Sequence, residues 1–440
     1  MKCSTKTMET IRDLLIADYQ TQVLEREDPW VDEVEQGMRR DLVALGNQVM
    51  GAVLSGCDQQ AHRRAERCSC GGKTKRQLRR TARLLSVFGW VKYKRGYYHC
   101  KACGKRSYLL DEEQGLRAGQ ASQGMAQLMS MAGVTTSFAE ASEQLSAYLL
   151  VSVSANTIRK ATYAAGRQQA EGEAQEREAS QRIECLQQRE RRLGTEKRLE
   201  CVYGSIDGAQ APTTSGWREL KTLVWYQSQL RYGHPEQLQA TEMAYRSELA
   251  AAEDFGRLLW ASGLNYQADR AREVVFVCDG AAWIWKLVEQ YFPAALQIVD
   301  WYHACSYLTE IAKTAYADET VAKDWLERNK SLLWEGEMDL VLAACRQHQS
   351  HPQAGEFAAK AITYYTNNRA RMDYPAYRER GYFCGSGTVE SGCKQIVTTR
   401  LKKSGARWLR ENATLIAKAR AAYLSGVHYW RPLFDLPLAA

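Results

Sequence analysis

Residues 273–280 read EVVFVCDG: five apolar side chains in a row, then aspartate and glycine. A short apolar run closed by turn residues predicts a strand buried on both faces. Residues 201–208, CVYGSIDG, repeat the pattern and end on Asp207-Gly208. Working outward, strands are expected at 202–207, 220–225, 238–243, 274–278 and 296–299, with a helix at 251–262 before the fourth. Strands alternating with helical stretches predict a mixed sheet. Residues 302–368 read as helix almost throughout, with Trp325 and Trp334 as core anchors. The expected fold class is therefore multidomain α+β.

Asp-Gly is a common turn pair, so neither aspartate is telling alone. A carboxylate at the end of a rigid strand is nevertheless well placed to hold a metal. Glu390 supplies a third acid in GSGTVESGCKQ, at the start of a helix after Gly385 and Gly387. Phosphodiester chemistry uses two divalent ions about 3.5–4 Å apart, one at the attacking oxygen and one at the leaving oxygen. Asp207, Asp279 and Glu390, on two strands and a helix, suit two Mg²⁺ or Mn²⁺ ions. Downstream, Lys394, Arg400, Lys402, Lys403 and Arg407 crowd one segment, a basic rim where a DNA backbone would pass. Lys394 lies four residues after Glu390, on the same helix side. Trp408 either stacks on a base or packs.

The front half has a different character. The net charge of the 440 residues is +8, and residues 68–110 contain twelve Lys and Arg with no acid. The basicity is local, and such a field attracts phosphate. Phe88, Trp90, Tyr93, Tyr97 and Tyr98 are interleaved with it. Cys68-Ser-Cys70-Gly-Gly and Cys100-Lys-Ala-Cys103-Gly bracket this stretch. Two close cysteine pairs supply four soft thiolates for one structural Zn²⁺, and the glycines let backbone amides face sulfur. His99 is an alternative ligand. The intervening hairpin offers Arg79, Arg80, Lys92 and Lys94 to DNA phosphates. Further on, residues 137–150 predict a helix, 151–153 a turn, and Ser154 an N-cap for a second helix over 155–166. That second helix leaves Arg159 and Lys160 outside, as a helix-turn-helix reader of the major groove would. Residues 168–200 mix both charge signs and read as a solvent-exposed helical linker.

The segment RMDYPAYRERGYFCGSGTVESGCKQIVTTRLKKSGARW, residues 371–408, resembles the glutamate region of bacterial insertion-sequence transposases of the ISKra group, DDE enzymes related to the Mutator-like superfamily. The likeness extends to VFVCDGAAWIW around Asp279, SIDGAQAP around Asp207, and CSCGGK with YYHCKACG. Asp300-Trp-Tyr-His303 matches the Asp/Cys-x-x-His signature that follows the second catalytic aspartate. The resemblance implies a ribonuclease-H-like core with an all-helical insertion, and Asp207, Asp279 and Glu390 as the catalytic carboxylates. Asp300 also follows an apolar strand, but a bulky tryptophan succeeds it. A supporting role is expected for Asp300 and His303.

The expected organisation is a helical region at 1–66, a zinc-ribbon hairpin at 67–112, a helix-turn-helix at 113–167, the linker at 168–200, two core parts at 201–301 and 376–440, and the helical insertion at 302–375. The expected function is a transposase that binds element terminal inverted repeats, cleaves, and joins the 3′ hydroxyl to target DNA, as a homo-oligomer on DNA. Alternatives are a nuclease without strand transfer, or an inactive DNA-binding regulator. The thirteen scattered cysteines do not form a disulfide framework. No signal peptide is read at MKCSTKTMETIRDLL, and no apolar run approaches the roughly 20 residues of a membrane span. The expectation is a cytoplasmic, nucleoid-associated bacterial protein with no membrane partner.

Overall fold

The computed structural model describes residues 4–64, 68–194, 196–232 and 234–436. The chain divides into two compact units, Met1–Ala132 with Phe138–Ile158, and Gly133–Ser137 with Arg159–Ala440. This is a coarser division than the seven segments expected from the sequence. Helices predominate, and each unit has its own sheet.

In the first unit, helices Thr5–Val23 and Val31–Arg64 precede a long antiparallel hairpin, β1 (Thr74–Ser86) and β2 (Gly89–Cys100), with a short β3 (Arg106–Ser107) on the outer edge of β2. The turn closes at Ser86 opposite Gly89, where φ is +86°. Strand periodicity sorts the charge: Val91 and Tyr93 are buried, whereas Lys92 and Lys94 are exposed. Gly51 lets helix Val31–Arg64 lie against β2, since a Cβ there would stand 2.6 Å from the Lys92 carbonyl oxygen. Leu54 and Cys57 of that helix then cover Ala82, Leu84, Tyr93 and Leu110.

The second unit is built on five strands in the order β6-β5-β4-β7-β8. These are β4 (Cys201–Thr213), β5 (Gly216–Arg231), β6 (His234–Glu248), β7 (Glu273–Cys278) and β8 (Leu296–Val299). The first three form an antiparallel meander; β7 pairs parallel with β4, and β8 parallel with β7. The crossovers are helices Ala252–Asn265 and Ala282–Tyr291. Trp225, fully buried, anchors the core against Phe276 and Phe292 and donates its indole N–H to Ser262 Oγ at 2.9 Å.

The meander strands run well past their expected ends. Asp207-Gly208 is not a turn but part of the ladder, opposite Thr222 and Lys221, and the hairpin closes only at Thr213 opposite Gly216. Pairing with residues 216–226 of β5 outweighs the local turn preference of Asp-Gly. Between β8 and Glu390 the chain is helical, with helices Trp301–Ala315, Glu319–Trp334, Met338–Gln347, Gly355–Asn368 and Tyr374–Glu379. Trp334 packs on Trp301 and Tyr374, and Trp325 on Tyr316 and His348.

The expected exposed linker, 168–200, is corrected in its first part only. The second helix of the helix-turn-helix candidate runs on as Ala155–Ala179, and its polar residues enter the core. Glu173 is buried and pairs with Lys418, which also reaches Glu248 at 2.6 Å; Arg177 meets Glu248 at 2.8 Å. Gly166 meets the Leu415 backbone closely, so helices Ala155–Ala179 and Arg410–Leu424 cross at van der Waals distance. The charges of Glu173 and Arg177 thus join a network that reaches the core, whereas helix Ile183–Leu193 is mostly exposed, as expected of the linker. The boundary between the units falls inside this helix, after Ile158, so the two-helix candidate is not a unit of its own.

Candidate active site and metal centre

Asp207 lies on the central strand β4, beyond the point where β7 stops pairing with it. Asp279 follows β7 directly, and its Oδ1 accepts the Ala281 N–H at 2.9 Å. Helix Gly387–Cys393, carrying Glu390, packs on β4 and β5. On its β6 side Gly392 lets the helix lie close to Tyr245, whose ring would stand 2.6 Å from a Cβ there. Burial pushes the Asp207 carboxyl above the usual range; Cys393 and the Gly208 N–H oppose that shift, while the charges of Asp279 and Glu390 add to it. Three acids in one another's field are what a polyvalent cation would relieve. Their oxygens do not all converge within 4.8 Å, a closeness that only the four zinc-candidate cysteines reach among the described residues.

Asp300 has another task. It has no exposed surface. One carboxylate oxygen accepts the His303 N–H and caps helix Trp301–Ala315; the other accepts the Ser386 N–H. Ser386 begins helix Gly387–Cys393 and donates its hydroxyl to Glu390 Oε1 at 3.0 Å. Asp300 thus ties the end of β8 to the start of the glutamate helix, with Trp301 N–H to Cys384 O at 2.7 Å as a second tie. With each oxygen accepting one amide, Asp300 latches the two elements together. His303 packs beside Tyr307 and Tyr364. The Tyr364 hydroxyl donates to the Asp279 carbonyl at 2.8 Å.

Three residues matter that the sequence reading passed over: Ser386, Tyr364 and Cys393. Ser386 stands four residues before Glu390 on the same helical face, a spacing that the sequence does display. The other two are distant in the chain from what they touch. Immediately after the glutamate helix, residues Lys394–Thr398 form a π-helical turn. Such insertions are frequent at functional sites.

The basic candidates separate. Lys394, Lys402 and Arg407 are exposed, and Lys403 reaches Thr136 Oγ1 at 3.3 Å. Arg400 is corrected: it is 1% exposed, donates to the Gly133 carbonyl and lies over the Trp408 ring, so it holds the fold and does not face DNA. Of the two readings of Trp408, as a base-stacking DNA contact or as a packing residue, the contacts favour packing: its ring N–H bonds Leu401 O and its backbone pairs with the β4–β5 turn. Arg159 and Lys160 are exposed on their helix. In the hairpin, Arg80, Lys92 and Lys94 are exposed. Arg79 is partly committed, donating to the buried Asp58 at 3.1 Å.

The cysteine centre is assembled by β1, β2 and two glycine knuckles. Sγ atoms of Cys68 and Cys103 lie 3.6 Å apart, and those of Cys70 and Cys100 3.7 Å apart. All four lie within 4.8 Å of one another. Gly71 and Gly104 take positive φ, of +84° and +73°, which turns the chain around the sulfurs. The Cys70 backbone N–H holds the Cys68 thiol down to about 6, and the Cys103 N–H lowers Cys100. At Cys103 the Lys105 N–H acts in the same direction, but contact with the other three thiols outweighs it and pushes that thiol up. Four sulfurs gathered this closely fit a metal ion, compatibly with a structural zinc. His99 is not part of this group.

No helix among the described residues is long and apolar enough to cross a membrane. Comparison with curated proteins gives no match. Residues 26–432 match the family described as Uncharacterised protein family (UPF0236). That span includes the cysteine centre, the five-stranded sheet and all three carboxylates, and the chain belongs to the UPF0236 family.

Proposed function

We propose that the chain is a DDE-type DNA transposase with a ribonuclease-H-like core. The observation that carries this reading is the placement of the three acids: Asp207 on the middle strand, Asp279 at the end of its parallel neighbour, and Glu390 on a helix laid across the same sheet. Asp207, Asp279 and Glu390 would hold Mg²⁺ or Mn²⁺, whose charge would supply activation of an attacking oxygen and stabilisation of a leaving one. The chain's own part is positioning. Asp300 and Ser386 set the glutamate helix, and Tyr364 steadies the Asp279 backbone. The four-cysteine centre holds one structural Zn²⁺ and stiffens the base of the hairpin that offers Arg80, Lys92 and Lys94 to phosphates. Arg159 and Lys160 contribute to reading the element ends, and Lys394, Lys402 and Arg407 contact backbone near the chemistry. A homo-oligomer would bring two ends together.

The test combines labelled DNA carrying both ends of the element with a target plasmid and Mg²⁺ or Mn²⁺. Wild type yields nicked ends and joined product. Asp207→Asn, Asp279→Asn and Glu390→Gln keep DNA affinity and lose both products. Cleavage without joining identifies a nuclease, and retention of cleavage in all three variants refutes the assignment.

A further inference from the structure

A cavity of about 680 Å³ opens between helices Ala282–Tyr291 and Gly355–Asn368, with Gly280, the neighbour of Asp279, on its wall. Two features of its lining lack a partner among the described residues, and a third shapes its wall. Trp285 is 4% exposed, yet its indole N–H has no acceptor among the described residues. Buried indole N–H groups ordinarily have one. Its ring is held in place by the Arg371 guanidinium 5.0 Å away, itself fixed by Glu289 and Gln297. Next, the other cations at the cavity are paired, Arg371 with Glu289 and Lys360 with Glu356, whereas exposed Lys286 has no ion-pair partner among the described residues. Finally, Tyr307 and Tyr364 stack at 4.1 Å into an aromatic wall, and Tyr364 bonds the Asp279 carbonyl.

We infer that this cavity binds one unpaired nucleotide of a DNA strand whose backbone passes the three carboxylates, an inference that rests on the proposed DNA chemistry of that site. Each lining feature answers one part of a nucleotide. The tyrosine wall suits a flat base, the indole N–H suits a base or phosphate oxygen, and Lys286 suits the phosphate. The volume lies within the range of pockets that enclose compounds of nucleotide size, roughly 300–1,000 Å³. Because Tyr364 grips Asp279, filling the cavity would also hold the strand in register with the metal ligands.

The full-length protein is mixed with a short single-stranded oligothymidylate carrying one 5-iododeoxyuridine and irradiated, and the crosslinked peptide is identified by mass spectrometry. The crosslink is expected on Trp285, Tyr307 or Tyr364. Lys286→Ala should weaken single-strand binding about fivefold, and Trp285→Phe, which keeps a ring but removes the N–H, about tenfold. Affinity for blunt duplex should be unchanged in both. Lys286 is exposed, so its variant tests the site even where Trp285→Phe disturbs folding. Crosslinks confined to other residues, or wild-type strand affinity in Lys286→Ala, would overturn the inference. Equal binding of thymidine monophosphate and the oligomer would overturn the strand assignment in favour of a free nucleotide. Asp279→Asn separates the two readings. If it is inactive and no crosslink forms in the cavity, the nucleotide site fails alone. If it still cleaves and the crosslink forms, the DDE assignment fails and the nucleotide site stands.

Discussion

Replacing Asp300 with asparagine distinguishes a latch from a metal ligand, and the structure sets the size of the effect. Asparagine is as good an N-cap as aspartate, so its amide oxygen can keep the His303 N–H and the start of helix Trp301–Ala315. The other carboxylate oxygen, which accepts the Ser386 N–H, becomes an NH₂ group facing a donor. One charge-assisted bond is lost, about 1.5–3 kcal/mol, and the Ser386 N–H is left buried without an acceptor, a cost of about 1–3 kcal/mol. These overlap, so a loss of about 2–4 kcal/mol is expected. For a unit of this size that corresponds to a fall in Tm of roughly 3–7 °C. The Ser386–Glu390 bond should loosen with it, lowering kcat without abolishing divalent-ion binding. Asp279→Asn is the contrast. It retains the oxygen that accepts the Ala281 N–H, so its Tm should stay near wild type while metal-dependent cleavage disappears. Differential scanning calorimetry with Mg²⁺ titration by isothermal calorimetry measures both quantities. An Asp300→Asn protein that melts like wild type but no longer binds Mg²⁺ would refute the latch.

Further outcomes follow from the same geometry. Lys418→Met should cost about 3–5 kcal/mol, because Glu173 is left fully buried beside a lost partner; the Lys418→Met/Glu173→Leu double variant should recover much of it, as read by chemical unfolding. Burial pushes the Glu173 carboxyl up, but Lys418 and Arg246 outweigh burial and hold it below the ordinary range. A depressed carboxyl stabilises the fold above its unfolded pKa and is lost as pH falls through the lower folded value. The acid limb of thermal stability should therefore lie below the ordinary glutamate range and shift in Glu173→Gln. Purified protein should contain one zinc per chain, absent from Cys100→Ser/Cys103→Ser by metal analysis; zinc retained in that variant would place the ion elsewhere. Arg400→Ala should lower Tm by removing a buried guanidinium that holds Gly133, whereas Lys402→Ala should leave Tm unchanged and flatten the salt dependence of DNA binding.

Much of this protein was legible one residue at a time. The strands at 274–278 and 296–299, the helical stretch after them and the paired cysteines all announce themselves locally, because apolar runs, helical periodicity and close ligand spacing act over a few residues. Even the partition of Lys92 and Lys94 from Val91 and Tyr93 follows from the two-residue period of a strand. Tertiary structure decided the rest. Whether Asp207-Gly208 turns or continues in a ladder depends on β5, and the partner strand won. Whether the charged helix of 155–179 is solvated or buried depends on Lys418 and Glu248, far away in the chain. Arg400 and Lys402, two residues apart and alike in sequence, have opposite fates because only one finds a backbone carbonyl inside the fold. Asp300 resembles Asp279 in sequence, but in the fold its two oxygens accept N–H groups from two separate elements. Local sequence sets what each segment prefers; a charge's role is set by which donors and acceptors the fold brings to it, and those come from positions that no local pattern encodes.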